Sequence, residues 1–328
     1  MRAFDYTSPT TIDETLQRLD GSDEGRVRPL AGGTDLLPLM KQNIVAPVTL
    51  VDIKRLETLP KGIEADGDGL RLGALTTLHE VAHDSLLAER FPLLGEAAGL
   101  AATPQLRNMA TVGGNLLQRP RCWYYRNELL SCWLKGGDSC PAYEGQNEFH
   151  ALFGDGPCYA VHPSDLAAAL LAVDAQVRIR GTAGMRTVPL TEFFTLPTDE
   201  HRCETALGRD RLLLSVDVPG DWAGARSTYL KAMDRKVWAF ALVGVAAVVT
   251  MHEQGTIAEA RLVLSGVAPI PWRARAAEER LTGETPSATL FREVANKALA
   301  DAQPLAHNGY KVPMLENLIQ RALTMVTS

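Results

Sequence analysis

Residues 119–160, from "RPRCWYYRNELLSCWLKGGDSC" to "GDGPCYA", carry neither a helical nor a strand period, although the segments on both sides do. An aperiodic stretch of this length inside a compact domain is uncommon. It is normally functional, or held by something other than a hydrophobic core. Four of the five cysteines, Cys122, Cys132, Cys140 and Cys158, fall inside it; the fifth, Cys203, stands apart and reads as a lone thiol. Any fold for this chain must therefore accommodate a long irregular loop with four thiols to organise it.

The compartment bears on what those thiols do. The N-terminus lacks a basic-then-apolar signal pattern. The longest apolar run, "VWAFALVGVAAVVTM" at 237–251, is too short to cross a bilayer and reads as a buried strand that includes Trp238 in the core. A reducing, cytoplasmic location is expected, and export with a signal-bearing partner stays open. In such a compartment clustered cysteines are more often metal ligands or redox groups than disulfides. Their gaps of nine, seven and seventeen residues match neither the paired short knuckles of zinc sites nor the ferredoxin run. Spacing leaves zinc, an iron–sulfur cluster and unrelated thiols all open. The net charge of −6, with no block of lysine and arginine, argues against nucleic acid or an anionic membrane as the main partner.

At 328 residues the chain is expected to form two or three domains. Short strands and helices alternate to about residue 118, and "HPSDLAAALLAVDAQVRIRG" resumes a helix-then-strand pattern after the cysteine segment. From about residue 180, strands in hairpin-like spacing precede a block of helices, the pattern of an α+β domain. The expected parts are 1–53, 54–178 with the insertion at 119–160, and 179–328.

Two glycine pairs stand out, "AGGTD" at 31–35 and "TVGGN" at 111–115. Adjacent glycines permit positive φ and close approach of backbone to a ligand, and a helix starting just after such a turn offers free N–H groups to an anion. Each pair alone is also what a tight strand-to-helix turn needs. Neither is the G-x-G-x-x-G fingerprint of the doubly wound dinucleotide fold.

Five motifs in order, "LAGGTDLLPLMK", "QLRNMATVGGNLLQ", "HPSDLAAALLAVD", "LLLSVDVP" and "YLKAMDRKVWAFALVGVAA", resemble the FAD-binding (medium) subunit of the molybdenum hydroxylases, the family of xanthine dehydrogenase, carbon monoxide dehydrogenase and aldehyde oxidoreductase. The resemblance implies an α+β fold: a two-part FAD-binding domain of the PCMH/vanillyl-alcohol-oxidase type, plus a C-terminal α+β domain with an antiparallel sheet and helices. It implies that Ala31, Gly32, Gly33, Thr34, Asp35 and Leu36 wrap the FAD pyrophosphate, and that Thr111, Gly113, Gly114 and Asn115 contact the flavin nucleotide. Asp165 corresponds to an FAD-contacting aspartate, although Ser164 and Asp165 also suit a helix N-cap. Lys231 corresponds to a lysine near the isoalloxazine, with a surface lysine on a strand as the alternative. Leu213 matches an apolar packing position.

The insertion resembles the subset whose flavin subunit holds an additional 4Fe–4S cluster, which would make Cys122, Cys132, Cys140 and Cys158 its ligands. "RCWYYRN" is most like the aldehyde oxidoreductase branch, and 4-hydroxybenzoyl-CoA reductase carries an insertion with other spacing. The implied role is an electron-transfer subunit of a heterotrimer, in which a large subunit carries the molybdenum cofactor and a small subunit carries two 2Fe–2S clusters. Electrons would pass from those clusters to the FAD and on to an external acceptor. Ala101 stands where NAD-using members often present an aromatic residue, which weakens the transfer of NAD as that acceptor. The rival readings are the flavin subunit of an aryl-CoA reductase or a xanthine dehydrogenase, and a zinc-stapled, non-enzymatic scaffold.

Overall fold

A computed structural model describes residues 1–20 and 26–328. Twelve strands make three sheets among the described residues. The first contains β1 (Asp5–Thr7), β2 (Val27–Leu30) and β3 (Thr49–Asp52), parallel, in the order β1-β3-β2. Parallel neighbours require crossovers. The first involves the helix Ile12–Leu19, whose N-cap Thr11 accepts a hydrogen bond from the Glu14 amide and which buries Leu16 and Leu19. The second runs through the first glycine pair and the helix Leu36–Lys41.

The second sheet is antiparallel and comprises β4 (Ile63–Asp66), β5 (Gly69–Gly73), β6 (Gln176–Gly181), β7 (Gly184–Pro189) and β8 (Leu212–Val218), in the order β4-β5-β8-β6-β7. Strand β6 alternates strictly, with Val177 and Ile179 inward. The third sheet, also antiparallel, has β9 (Arg226–Ala232), β10 (Val243–Met251), β11 (Ile257–Ser265) and β12 (Trp272–Arg273), in the order β12-β11-β10-β9. Helices including Lys311–Thr327 cover one of its faces.

Two expectations change. Strands β6, β7 and β8 extend the second sheet to residue 218, so the C-terminal sheet domain starts near Arg226 and not at residue 179. The apolar run of β8 marks it as a strand, but apolarity alone does not say that its neighbours are β5 and β6. Trp238 is 61% exposed, because β9 ends at Ala232 and β10 begins at Val243, leaving it on the connecting loop.

The middle of the molecule is the helix Asp165–Ala172, buried along its entire length. Its sequence, DLAAALLA, is apolar all round after the first residue, which suits a helix packed on every side. Strand β10 shows the matching two-sidedness. Val243, Val245, Ala247 and Val249 join the core under the C-terminal helices, while Ala246 and Val248 join the core around the central helix. The cysteine segment is irregular, with one short 3-10 turn at Trp133–Lys135. No helix of the described residues is long and apolar enough to cross a membrane.

Candidate functional site: two glycine loops and a buried carboxylate–lysine pair

The two glycine pairs meet. A Cβ on Gly32 would lie 1.8 Å from the carbonyl oxygen of Met109, so only glycine lets the first loop pack against the approach to the second. Gly33 has φ 73°, the left-handed conformation that turns the chain from β2 into the helix Leu36–Lys41. Backbone donors then separate the loops. Among the described residues, the N–H groups of Gly32, Gly33, Thr34 and Asp35 have no acceptor. In the second loop every N–H from Val112 to Asn115 is taken. Val112 donates to Thr76 O at 2.8 Å, Gly113 to Ala74 O at 2.9 Å, and Asn115 to Thr111 O at 2.8 Å. Gly114 donates to the Thr111 hydroxyl at 3.2 Å. The first loop thus has amides to offer an anion, and the second is stitched to the end of β5 as a buttress. The Thr111, Gly113 and Asn115 carbonyls, the Thr111 hydroxyl oxygen and Asn115 Oδ1 already accept hydrogen bonds, so what this loop has left for a ligand is the Asn115 Nδ2 amide, the Thr111 hydroxyl hydrogen and the Cα faces of Gly113 and Gly114.

Asn115 connects the second loop to the central helix, since its Oδ1 accepts a hydrogen bond from the Ser164 hydroxyl. Ser164 caps that helix by accepting from the Ala167 amide at 2.9 Å. The next residue, Asp165, faces β9. Its carboxylate accepts from Lys231 Nζ at 2.7 Å and from the Tyr229 hydroxyl at 2.6 Å. Tyr229 in turn shares a hydrogen bond of 2.8 Å with Ser265. The Lys231 and Asp165 side chains are 1% and 5% exposed, so Lys231 is a buried, paired cation and not a surface lysine. Burial pushes the Asp165 carboxyl up from its usual value, with Lys231 and Tyr229 opposing that rise. Gly244 faces Lys231 across the β9–β10 ladder; a Cβ there would come within 2.3 Å of Ser265 Oγ and 2.7 Å of Tyr229 Oη. Leu213 lies in β8 opposite Ile179, in the core. Ala101 is buried at the C-terminus of the helix Pro92–Leu100.

The cysteine segment leans on the first loop. Cys122, Cys132 and Cys158 share an apolar cluster with Leu39 of the loop's helix and with Tyr125, Trp133, Leu134 and Ala160. All five cysteines are free thiols. Burial pushes the Cys122 thiol up to about 11, with the Cys132 and Cys140 thiols adding to the effect. Cys158 is raised well above the usual range by burial, with Cys140 and Cys122 contributing. Cys122 Sγ also lies 3.2 Å from His150 Nε2. Among the described residues, no three His, Cys, Asp or Glu side chains converge closely enough to hold one metal ion. Cys203 is elsewhere, accepting a hydrogen bond from Arg119 Nη1 at 3.0 Å.

Sequence reasoning missed the arginines at the mouth of the segment. Arg121 and Arg126 reach the Asp35 carboxylate with their guanidiniums and Arg119 reaches it with its backbone amide, while the Arg119 guanidinium pairs with Glu204; Asp35 has no side-chain role in capping the helix Leu36–Lys41. Three arginines within eight residues of a chain with a negative net charge were the available signal.

Residues 2–221 match the family described as FAD binding domain in molybdopterin dehydrogenase, and residues 228–326 match the CO dehydrogenase flavoprotein C-terminal domain. The gap between the matches falls where β8 gives way to β9. The chain is 35% identical to the aldehyde oxidoreductase FAD-binding subunit PaoB of Escherichia coli, over 98% of both chains. It is 30% identical to the carbon monoxide dehydrogenase medium chain of Hydrogenophaga pseudoflava, over 98% of this chain and 96% of the relative. A solved carbon monoxide dehydrogenase from H. pseudoflava, lacking the Mo-pyranopterin moiety of its cofactor, superposes with a TM-score of 0.78 at 28% identity, covering 99% of this chain and 97% of that one. The chain therefore belongs to the family of FAD-binding subunits of the molybdenum hydroxylases, and is an oxidoreductase subunit.

Proposed function

We propose that this chain holds FAD together with a 4Fe–4S cluster and serves as the electron-transfer subunit of a multi-subunit molybdenum hydroxylase of the aldehyde oxidoreductase kind. In this reading a large partner carries the molybdenum cofactor and a small partner carries 2Fe–2S clusters. The chain takes electrons from the small partner and delivers them to an external acceptor. The similarity to an aldehyde oxidoreductase FAD-binding subunit along 98% of the chain supports the branch. The single observation that carries the reading is the first glycine loop, with four consecutive amides free and its turn fixed against Met109.

The residues fit a dinucleotide. The amides of Gly32, Gly33, Thr34 and Asp35 would hold the diphosphate, with Ala31 and Leu36 flanking them. Thr111, Gly113, Gly114 and Asn115 would form the opposing wall, and Asp165 and Lys231 would mark the end nearest β9, with Leu213 in the packing beneath. When bound, FAD takes up electrons singly and releases them in pairs, which couples one-electron carriers to a two-electron acceptor. Lys231, 1% exposed and paired with Asp165, places its ammonium where little water screens it, and a charge acts more strongly there than in water. The donor set of the cysteine segment fits a cluster. It offers four thiols, the soft donors by which iron–sulfur clusters are held. Cys122, Cys132, Cys140 and Cys158 would be those four.

The test is an absorbance spectrum with iron and flavin analysis of the purified protein. Flavin bands over a broad iron–sulfur shoulder, with four irons per chain that Cys140→Ser removes, are the expected result. A yellow protein free of iron would remove the cluster, and a colourless one would remove the reading altogether.

A further inference from the structure

Asp35 stands inside the loop that resemblance assigns to the FAD diphosphate, yet its carboxylate is already occupied. Oδ2 accepts the Arg119 amide at 2.9 Å, and Oδ1 accepts Arg126 Nη2 at 2.6 Å and a hydrogen bond from Arg121. Arg126 is 11% exposed and also donates to Pro120 O at 2.8 Å and Arg119 O at 3.1 Å. It therefore gathers the first turn of the cysteine segment around one carboxylate of the flavin loop. A second contact lies below it, where Leu39, Ile44 and Val45 pack with Tyr125, Trp133 and Leu134 of the segment. Hydrogen bonds and an apolar cluster thus join the two pieces of chain at the base of the loop whose amides are free.

We propose that Asp35 is a positioning residue, the tether by which the cysteine segment holds the first glycine loop in the shape that receives FAD, and that Arg126 is its principal partner. The proposal rests on FAD occupying that loop, and it holds whether or not the thiols carry a cluster. The segment's task is then partly mechanical. A loop with four unpaired amides has little internal bonding to keep its shape, and the segment supplies that constraint from outside.

The sign of one substitution separates this role from direct contact with the ligand. If Asp35 faced the diphosphate, Asp35→Asn would remove like-charge repulsion and slow the release of FAD. If Asp35 is the tether, the same change leaves two part-buried guanidiniums without their carboxylate and loosens the loop.

The experiment follows FAD release by flavin fluorescence from the full chain in its complex, for Asp35→Asn, Arg126→Gln, the double variant and Asp35→Glu. Each of the first two should quicken release by about tenfold or more, as expected for breaking a part-buried pair. The double variant should release no faster than the worse single, because both remove one interaction. Asp35→Glu, which keeps the charge, should return most of the wild-type rate, an outcome that mere loss of packing at this position would not give. Release from Asp35→Asn that is unchanged or slower, while wild type takes up FAD normally, overturns the tether alone; a wild type that takes up no FAD overturns the loop assignment as well. If Asp35→Asn does not fold, Arg126→Gln decides by the same readout, and release at the wild-type rate overturns the proposal.

Discussion

Gly32 is the position where one methyl group decides whether the two loops meet. The clash at 1.8 Å is with a backbone carbonyl, which cannot rotate away as a side chain would. Gly32→Ala should lower FAD content and cost stability by roughly 1–3 kcal/mol, the usual range for overpacking. The FAD-to-protein ratio and a denaturant midpoint check this; full FAD and an unchanged midpoint in that variant would show that the loops do not pack as described. The residue types at this site are legible in the sequence. Paired glycines announce sharp turns, and Asp165 and Lys231 each stand within a motif of the resemblance. Their pairing is not legible, because 66 residues separate them in sequence and only the packing of the central helix on β10 and β11 brings its first residue to Lys231. Asp35 is likewise conspicuous for its place in a motif, while its actual partners lie more than 80 residues away.

At the scale of elements, the cysteine segment lacks secondary structure but is anchored at both ends. Its first turn binds the first glycine loop through Asp35. Its later part is latched to the C-terminal domain: Asn308 Nδ2 donates to His150 O at 3.2 Å and Ala151 O at 3.0 Å, and Lys311 Nζ donates to His150 O and Gly266 O, each at 2.9 Å. Burial lowers the Lys311 ammonium to about 7, and no carboxylate pairs with it among the described residues. The nearby His150 ring is held near 4 by burial and by Lys311, so it stays neutral across the same range. The sign follows from linkage. Between about pH 7 and the ordinary lysine value near 10.4, the unfolded chain binds a proton that the folded chain has released, so stability rises with pH. The stability of wild type relative to Lys311→Met should therefore grow from pH 7 to pH 10, by at most ~1.4 kcal/mol per pH unit. Chemical denaturation of both proteins across that range measures it; a flat difference would mean Lys311 keeps its proton in the fold. The missing period and the thiols make the segment conspicuous in the sequence. The latch is invisible there, because Asn308 and Lys311 carry no pattern that links them to residues 150 and 151. Strand β8 illustrates the same limit, since its apolar run specifies a strand but not its neighbours.

Across the whole molecule, the site lies where three sheets and one irregular segment come together. The parallel sheet presents the first loop from the end of β2. The five-stranded sheet holds the second loop at the end of β5. The C-terminal sheet brings Lys231 and Tyr229 to the head of the central helix. Family membership is legible because five motifs occur in order, each placed by a local constraint such as a turn, a cap or a strand. The domain boundary is less legible, because the second sheet takes strands from both sides of the cysteine segment. The central claim is that the free amides of the first loop receive the FAD diphosphate, with the second loop as a wall and the buried pair at the far end. A crystal structure of the complex grown with FAD tests it most directly. The account predicts diphosphate oxygens on the amides of residues 32–35 and the flavin ring toward Lys231. Density for the diphosphate elsewhere, with those four amides facing solvent, would contradict it.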